Sequence, residues 1–402
     1  MRNSKHGPAE MRALFLGNMQ VYLDNSATTR PRQQAVKAAL EAMESSYGNP
    51  STLYRLGLDA EKIVKAARKT VAASLGALPE EVFFTSGGTE SNNTAIFGAW
   101  ESRKKQGRRV ITTAVEHPSV LNCFEELKRR GADVVVLPVG RDGSLDLDAF
   151  RAALTEDTVL VSVMHVNNET GAIFPVREIG RIIKEYAAQK GMAKPLFHTD
   201  CVQSYGKLQF KAADLGADLI SVSAHKVHGL KGTGALYIKK GVHIQPFMLG
   251  GGQESGFRSG TENVPGIAAF GAAAGLLRIS DFAAREHLKK RLTEEIPDIR
   301  INSPEDGCPS VLNVSFLGCR AEVLLHMLEQ DGIYVSTGSA CSSKDKGSRV
   351  LRAMGLSAEE IEGAVRFSFC ADNTVEETDY VVERLKAHTE GQRRLRSAFR
   401  GK

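Results

Sequence analysis

Between residues 81 and 240, short apolar runs alternate with segments whose apolar residues recur at helical spacing. Seven runs read as strands: Val82–Thr85, Val110–Val115, Val134–Val139, Val159–Val166, Leu196–Asp200, Leu219–Val222 and Ala235–Ile238. Between the fourth and fifth, Ile179, Ile182, Ile183 and Tyr186 fall at i, i+3, i+4 and i+7, one face of a helix closed by Gly191. An earlier stripe of Ile63, Val64, Ala67, Val71 and Leu75 is closed by Gly76. Such alternation predicts an α/β domain with a mostly parallel seven-stranded sheet and helices on its faces. After about residue 276 the pattern changes: a charged helix over 281–295 leads into mixed strands and helices over 310–370. Ser357 with Glu360, and Thr374 with Glu377, have capping-box spacing and mark two helix starts. The expected division is a disordered extension over 1–18 and a segment over 19–35 joining the small domain. A large domain over 36–276 and a smaller α+β domain over 277–402 complete it.

The length of 402 residues fits two cores better than one. Hydrophobic and charged shares of 42% and 25% are those of an ordinary globular chain. No run approaches the ~20 apolar residues of a membrane span; the longest, Gly266 to Leu277, is rich in Ala and Gly and reads as a buried helix. The run Ala13 to Leu16 is too short for a secretion signal, so a cytoplasmic location with reduced thiols is expected. Six cysteines form no CxxC pair and no Cys/His cluster, so no metal site is expected. A net charge of +5 does not call for nucleic acid. Arg393, Arg394, Arg396, Arg400 and Lys402 read as a solvated basic tail, with contact to tRNA or a partner protein as the alternative.

Ligands of parallel α/β sheets sit beyond the carboxyl ends of the strands. Reading the residues there gives one consistent set. Ser86-Gly87-Gly88-Thr89-Glu90 opens a helix and offers backbone N–H groups to an anion. Glu116-His117, Asn167-Asn168, Asp200 with Gln203, and Ser223-Ala224-His225-Lys226 follow four further strands. Each is common alone. Together they supply a phosphate cradle, a carboxylate, an imidazole, an amide and a lysine on one edge of one sheet. Pyridoxal phosphate needs that set: a lysine for the imine, a carboxylate to keep the pyridine nitrogen protonated, and donors for the phosphate.

The stretch SVSAHKVHGLKGTGALYI (221–238) resembles the lysine motif of the class V aminotransferase superfamily, of fold type I. With YLDNSATT (22–29), FTSGGTESNN (84–93), VEHPSV (115–120), MHVNNETG (164–171), HTDCVQS (198–204) and RSGTENV (258–264), the chain is similar to the cysteine desulfurases from Met19 to Arg366. The resemblance implies that Lys226 is the Schiff-base lysine and that His117 stacks on the cofactor ring and assists proton transfer. It implies that Asp200 pairs with the pyridinium nitrogen and Gln203 with the phenolic oxygen, with Asn168 near that oxygen and the substrate carboxylate. Gly88, Thr89, Ser223 and His225 are implied to hold the phosphate, joined by Thr261 from the second subunit of a homodimer. The sequence departs from the family at Ser255, where a basic residue is frequent, and at Leu249, where His is frequent.

Cys123 lies among Leu121, Phe124 and Leu127 at helical spacing and reads as core, and Cys370 ends an apolar strand. Cys341 instead lies in STGSACSSKDKGS (336–348), small and charged residues without period, which read as an exposed loop. An exposed loop thiol is a candidate nucleophile, and the resemblance implies that it takes sulfur from L-cysteine as a persulfide and passes it to an acceptor. Arg366, on a strand whose apolar members face the other way, suits a substrate carboxylate, and the resemblance places the carboxylate-binding arginine there. An iron–sulfur scaffold protein and a tRNA-thiolation enzyme are both acceptors that the family implies. An aminotransferase or lyase of the same fold, and a selenocysteine lyase, stay open as alternatives.

Overall fold

The computed structural model describes residues 19–279, 282–338 and 347–400. Expectations for residues 1–18 and for Cys341 lie outside the described residues. The chain divides into two compact units, with boundaries at 27/28 and 279/280, and Glu169–Gly171 belongs to the smaller one. Strand β1 (Val21–Tyr22) is part of that smaller unit.

The larger unit begins with helices α1 (Gln33–Glu44) and α2 (Arg55–Leu75). It then alternates: β2 (Val82–Thr85), α3 (Gly88–Arg103), β3 (Arg109–Thr113), α4 (Pro118–Arg129), β4 (Asp133–Leu137), α5 (Leu147–Ala153), β5 (Thr158–Ser162) and α6 (Val176–Lys190). Strands β6 (Leu196–Asp200), β7 (Leu219–Ser223) and β8 (Gly234–Ile238) and helix α7 (Val264–Ala274) complete it. The seven strands form one sheet in the order β2-β8-β7-β6-β5-β3-β4. β8 is antiparallel to both neighbours and every other pairing is parallel, so the other six strands share one carboxyl edge. Every residue of β5, β6 and β7 is buried, which is why these strands read as continuous apolar runs rather than alternating ones. Trp100 and Phe124 from α3 and α4 pack onto the sheet with Val110, Leu160 and Leu219, and each such fully buried side chain contributes about 1.5–3 kcal/mol. Gly76 and Gly191 close α2 and α6 at φ +63, the left-handed conformation in which glycine costs least.

Three strands are shorter than the apolar runs predict. β3 ends at Thr113 rather than Val115, β4 at Leu137 rather than Val139, and β5 at Ser162 rather than Val166. Pro138 has no N–H to extend β4. Val115, Val163, Met164 and Val166 leave their ladders yet stay buried, so the apolar run reports burial and not pairing.

In the smaller unit, α8 (Ala283–Glu295), β9 (Ile299–Ile301), β10 (Val311–Phe316), α9 (Ala321–Gln330) and β11 (Ile333–Tyr334) precede α10 (Arg349–Ala353), α11 (Ala358–Glu362), β12 (Ala364–Ser368) and α12 (Val375–Arg400). The order β12-β10-β9 is antiparallel, and β1 pairs in parallel with β11. Both expected capping boxes form. Ser357 N–H donates to Glu360 at 2.7 Å and Thr374 N–H to Glu377 at 3.1 Å, each answered by a backbone bond to the hydroxyl. The inserted Glu169–Gly171 had no signal in the pattern. Asn313 Nδ2 donates to its Glu169 carbonyl at 3.1 Å, Cys308 N–H donates to Gly171 O at 2.7 Å, and the Ser348 hydroxyl donates to the buried Glu169 carboxylate.

Candidate active site

At the carboxyl edge of the large sheet, β6 ends on Asp200 and β7 ends on Ser223, from which a 3-10 turn carries Ala224, His225 and Lys226. Beside them β2 runs into Ser86-Gly87-Gly88 and the N-terminus of α3. The packing here leaves no room for larger residues. Gly87 sits at φ +151; a Cβ on Gly88 would meet Val202 Cγ2 at 2.8 Å, and one on Gly234 would meet Gly87 Cα at 2.7 Å. Gly234 lets β8 approach the Gly87 backbone, and Gly88 lets the start of α3 pack on the Val202 side chain. The Ser223 hydroxyl is buried without a hydrogen-bond partner, about 4.0 Å from where a Gly87 Cβ would lie. A cradle of backbone N–H groups with an unsatisfied hydroxyl suits a bound phosphate. Thr89 is exposed in the first turn of α3. Glu90 accepts from Ser86 N–H at 3.0 Å and from Arg258 Nε at 2.9 Å, which braces the cradle.

Asp200 is buried, and both of its oxygens are engaged: Val202 N–H donates to Oδ1 at 2.9 Å and Asn92 Nδ2 to Oδ2 at 2.7 Å. Each oxygen keeps acceptor capacity for one more N–H. Asn92 also donates to Ser119 Oγ at 2.9 Å, and Ser119 Oγ lies 2.8 Å from Nδ1 of His117. His117 is the N-cap of α4 and accepts Ser119 N–H at 3.1 Å on the same Nδ1. A hydrogen-bonded chain therefore runs from Asp200 through Asn92 and Ser119 to His117. Asn92 and Ser119 lie within the FTSGGTESNN and VEHPSV motifs, where neither carries a local signal of this contact.

Glu116, next to His117, is fully buried, and desolvation pushes its carboxyl up to about 8, with the Asp200 charge adding a smaller push. It is therefore mostly neutral at pH 7. His225 is held down to about 4 by burial, with Lys226, Lys231 and Lys207 adding to the effect, so it is neutral; its Nδ1 lies 3.1 Å from Thr28 Oγ1. Lys226 is half-buried. Gln203 is buried and its Oε1 accepts from Lys207 Nζ at 2.8 Å, which fixes the orientation of the amide. Asn168, half-buried, begins the turn after β5. Gly88, Asp200, Ser223, His225, Lys226 and His117 thus share one edge. Thr261 stands exposed on a separate loop, held at Gly260 N–H by Gln253 Oε1 at 2.9 Å. The base of this loop is fixed by Arg68, whose guanidinium bonds both oxygens of buried Glu254 at 2.7 and 2.6 Å.

In the smaller unit, Arg366 lies on β12, buried rather than on the surface, and its Nη2 donates to Asp24 Oδ1 at 2.7 Å. Cys123 is buried as expected, its thiol pushed up to about 12 by desolvation, and Cys370 is half-buried.

The family model of the aminotransferase class-V family matches residues 21–381 of this chain. The chain belongs to that family. A cysteine desulfurase of Trichormus azollae is 41% identical over 383 residues, covering 91% of this chain and 94% of the relative. The cysteine desulfurase IscS of Clostridium botulinum (strain Hall) is 41% identical over 381 residues, covering 92% and 94%. The solved structure of a NifS-like protein superposes with a TM-score of 0.84 at 38% identity, covering 92% of this chain and all of the other. Within its family the chain is thus one of the cysteine desulfurases.

Proposed function

We propose that the chain uses pyridoxal phosphate to remove sulfur from L-cysteine, giving L-alanine and a persulfide on Cys341. The observation that carries this reading is the convergence of the Lys226 turn, the Asp200 carboxylate and the Gly87–Gly88 cradle with its unsatisfied Ser223 hydroxyl. These residues fit the cofactor. Gly88, Thr89, Ser223 and His225 would hold the phosphate, Asp200 the ring nitrogen, Gln203 and Asn168 the phenolic oxygen, and Lys226 the aldehyde carbon. The group supplies an electron sink for the pair left when the substrate Cα–H bond breaks.

The protein residues do the rest. Arg366 and Asn168 are the residues assigned to the substrate carboxylate, and Lys226, as a neutral amine, accepts the Cα proton. The Cys341 thiolate attacks the substrate sulfur; the S–S bond forms as the Cβ–S bond breaks, the pair left on Cβ is protonated to the methyl group, and Lys226 returns the proton to Cα, which gives alanine. Cysteine and an enzyme thiol become alanine and an enzyme persulfide, with no outside oxidant. The sulfur then passes to an acceptor protein, an iron–sulfur scaffold or a tRNA-thiolation enzyme.

A cytoplasmic homodimer fits the same reading. Exposed apolar side chains of the larger unit, among them Leu53 at 91% exposure, Tyr54, Tyr47, Phe247 and Leu249 at 83%, suit burial against a second copy. That second copy would bring Thr261. Among the described residues no helix is long and apolar enough to cross a membrane. The test is to mix protein, L-cysteine and a reductant and quantify products. Equal sulfide and alanine, both lost in Lys226→Ala, support the reading; alanine without sulfide, or neither product, overturns it.

A further inference from the structure

We infer that His117 works from a single tautomer, with its proton on Nε2, and that Asp200 imposes this tautomer through Asn92 and Ser119. The inference rests on the desulfurase reading only for what the proton is used for. The direction of every bond in the chain follows from donor chemistry.

Asp200 Oδ2 can only accept, so the Asn92 group 2.7 Å away must be the amide nitrogen. Turning Asn92 over would set its Oδ1 against the carboxylate. With one N–H on Asp200, the second lies on Ser119 Oγ at 2.9 Å, and that oxygen accepts. The Ser119 hydroxyl proton is then directed to His117 Nδ1 at 2.8 Å. The Ser119 backbone N–H, at 3.1 Å, reaches the same nitrogen and can only donate. Two donors converge on Nδ1, which is therefore an acceptor, and the proton of the neutral ring resides on Nε2. Asn92 and Asp200 are both buried, so water does not compete for the bond between them, while the two Ser119 bonds to His117 lie at the exposed end of the chain. The Asn92 Oδ1, buried without a partner, is the cost of this orientation: its amide is committed to donating on both sides.

Asn92 and Ser119 are thus positioning residues. They link the carboxylate assigned to the cofactor nitrogen with the imidazole assigned to stack on its ring. His117 meets the substrate as a hydrogen-bond donor from Nε2, and proton acceptance falls to the Lys226 amine. Helix capping alone would need only the Ser119 backbone N–H; the Asn92 and Ser119 side-chain bonds go beyond it.

Nitrogen-15 NMR of histidine-labelled protein, with and without pyridoxal phosphate, reads the tautomer directly, and His117→Gln assigns the signal. The expected result is a protonated Nε2 and a bare Nδ1 in both states. Ser119→Ala, which keeps the backbone donor, should give a tautomer mixture and lower kcat about tenfold, with KM for cysteine within about twofold. Ser119→Thr, which restores the hydroxyl, should recover both the single tautomer and kcat. Asn92→Ala should reproduce the mixture; if it fails to fold, the Ser119 pair still decides. A wild-type His117 protonated on Nδ1, or a Ser119→Ala protein that keeps one tautomer and full kcat, overturns the inference. If no sulfide forms at all, the desulfurase reading fails while the tautomer is still measured.

Discussion

Arg366 Nη2 donates to Asp24 Oδ1 across 2.7 Å, joining β12 to the segment after β1 within the smaller unit. The pair is buried on the arginine side, with the Arg366 side chain 6% exposed and Asp24 20%. A guanidinium held this way is oriented in advance for the carboxylate that the proposed function assigns to it. Arg366→Lys keeps the charge and loses the fork. Its KM for cysteine is expected to rise roughly 30- to 100-fold, the equivalent of about 2–3 kcal/mol of charge-assisted hydrogen bonding. Cofactor absorption should stay unchanged. Steady-state kinetics with a parallel spectrum decide it.

Gly234 touches no cofactor in the proposed site, yet its missing Cβ is what lets Gly87 approach. Gly234→Ala is expected to fold, because the position is a β8 residue with ordinary backbone angles, and to displace the cradle. Overpacking of about 1–3 kcal/mol translates into pyridoxal phosphate affinity weaker by roughly tenfold or more. Titration of the protein with cofactor, followed by absorbance, measures it.

Glu116 gives stability a pH dependence with a definite sign. Its folded value near 8 lies above the ordinary 4.5, so the folded state holds a proton that the unfolded state has released. The stability this contributes is complete below about pH 4.5 and is lost as pH rises through about 8. Glu116→Gln removes the titration. Urea unfolding at pH 6 and pH 9 should show the variant gaining on the wild type by up to about 1.4 kcal/mol per pH unit across that window. Parallel pH profiles would show that the carboxyl ionises normally.

Cys341→Ala should retain the cofactor spectrum and its change on adding L-cysteine while releasing no sulfide. Mass spectrometry of the wild type after one turnover should find one extra sulfur on the peptide containing Cys341. Sulfide release from the variant would reassign the nucleophile.

The apolar runs revealed the seven strands because β5, β6 and β7 are buried on both faces, and the strand ends led to Asp200, Ser223, His225 and Lys226, which the structure places on one edge of the sheet. What the runs could not show is where pairing stops, since Val163 to Val166 remain buried after β5 has ended. Nor could they show partners distant in sequence. Asn92 is 108 positions from Asp200 and Asp24 is 342 from Arg366, and no local period records such contacts. Asn92 lies inside a helix whose buried face mixes Asn, Thr, Ser and Ala, so its buried amide gives no amphipathic signal.

The assignment of Glu169–Gly171 to the smaller unit bears on how such a chain can be cut or inherited. Neither unit is a contiguous stretch of sequence, because the smaller one borrows three residues from the middle of the larger. A fragment ending near residue 279 would strand the Glu169 carboxylate without the Ser348 hydroxyl, and one starting near 280 would leave Asn313 without the Glu169 carbonyl. Neither half is therefore a ready module for fusion or shuffling, and selection on one half must act through the whole reading frame.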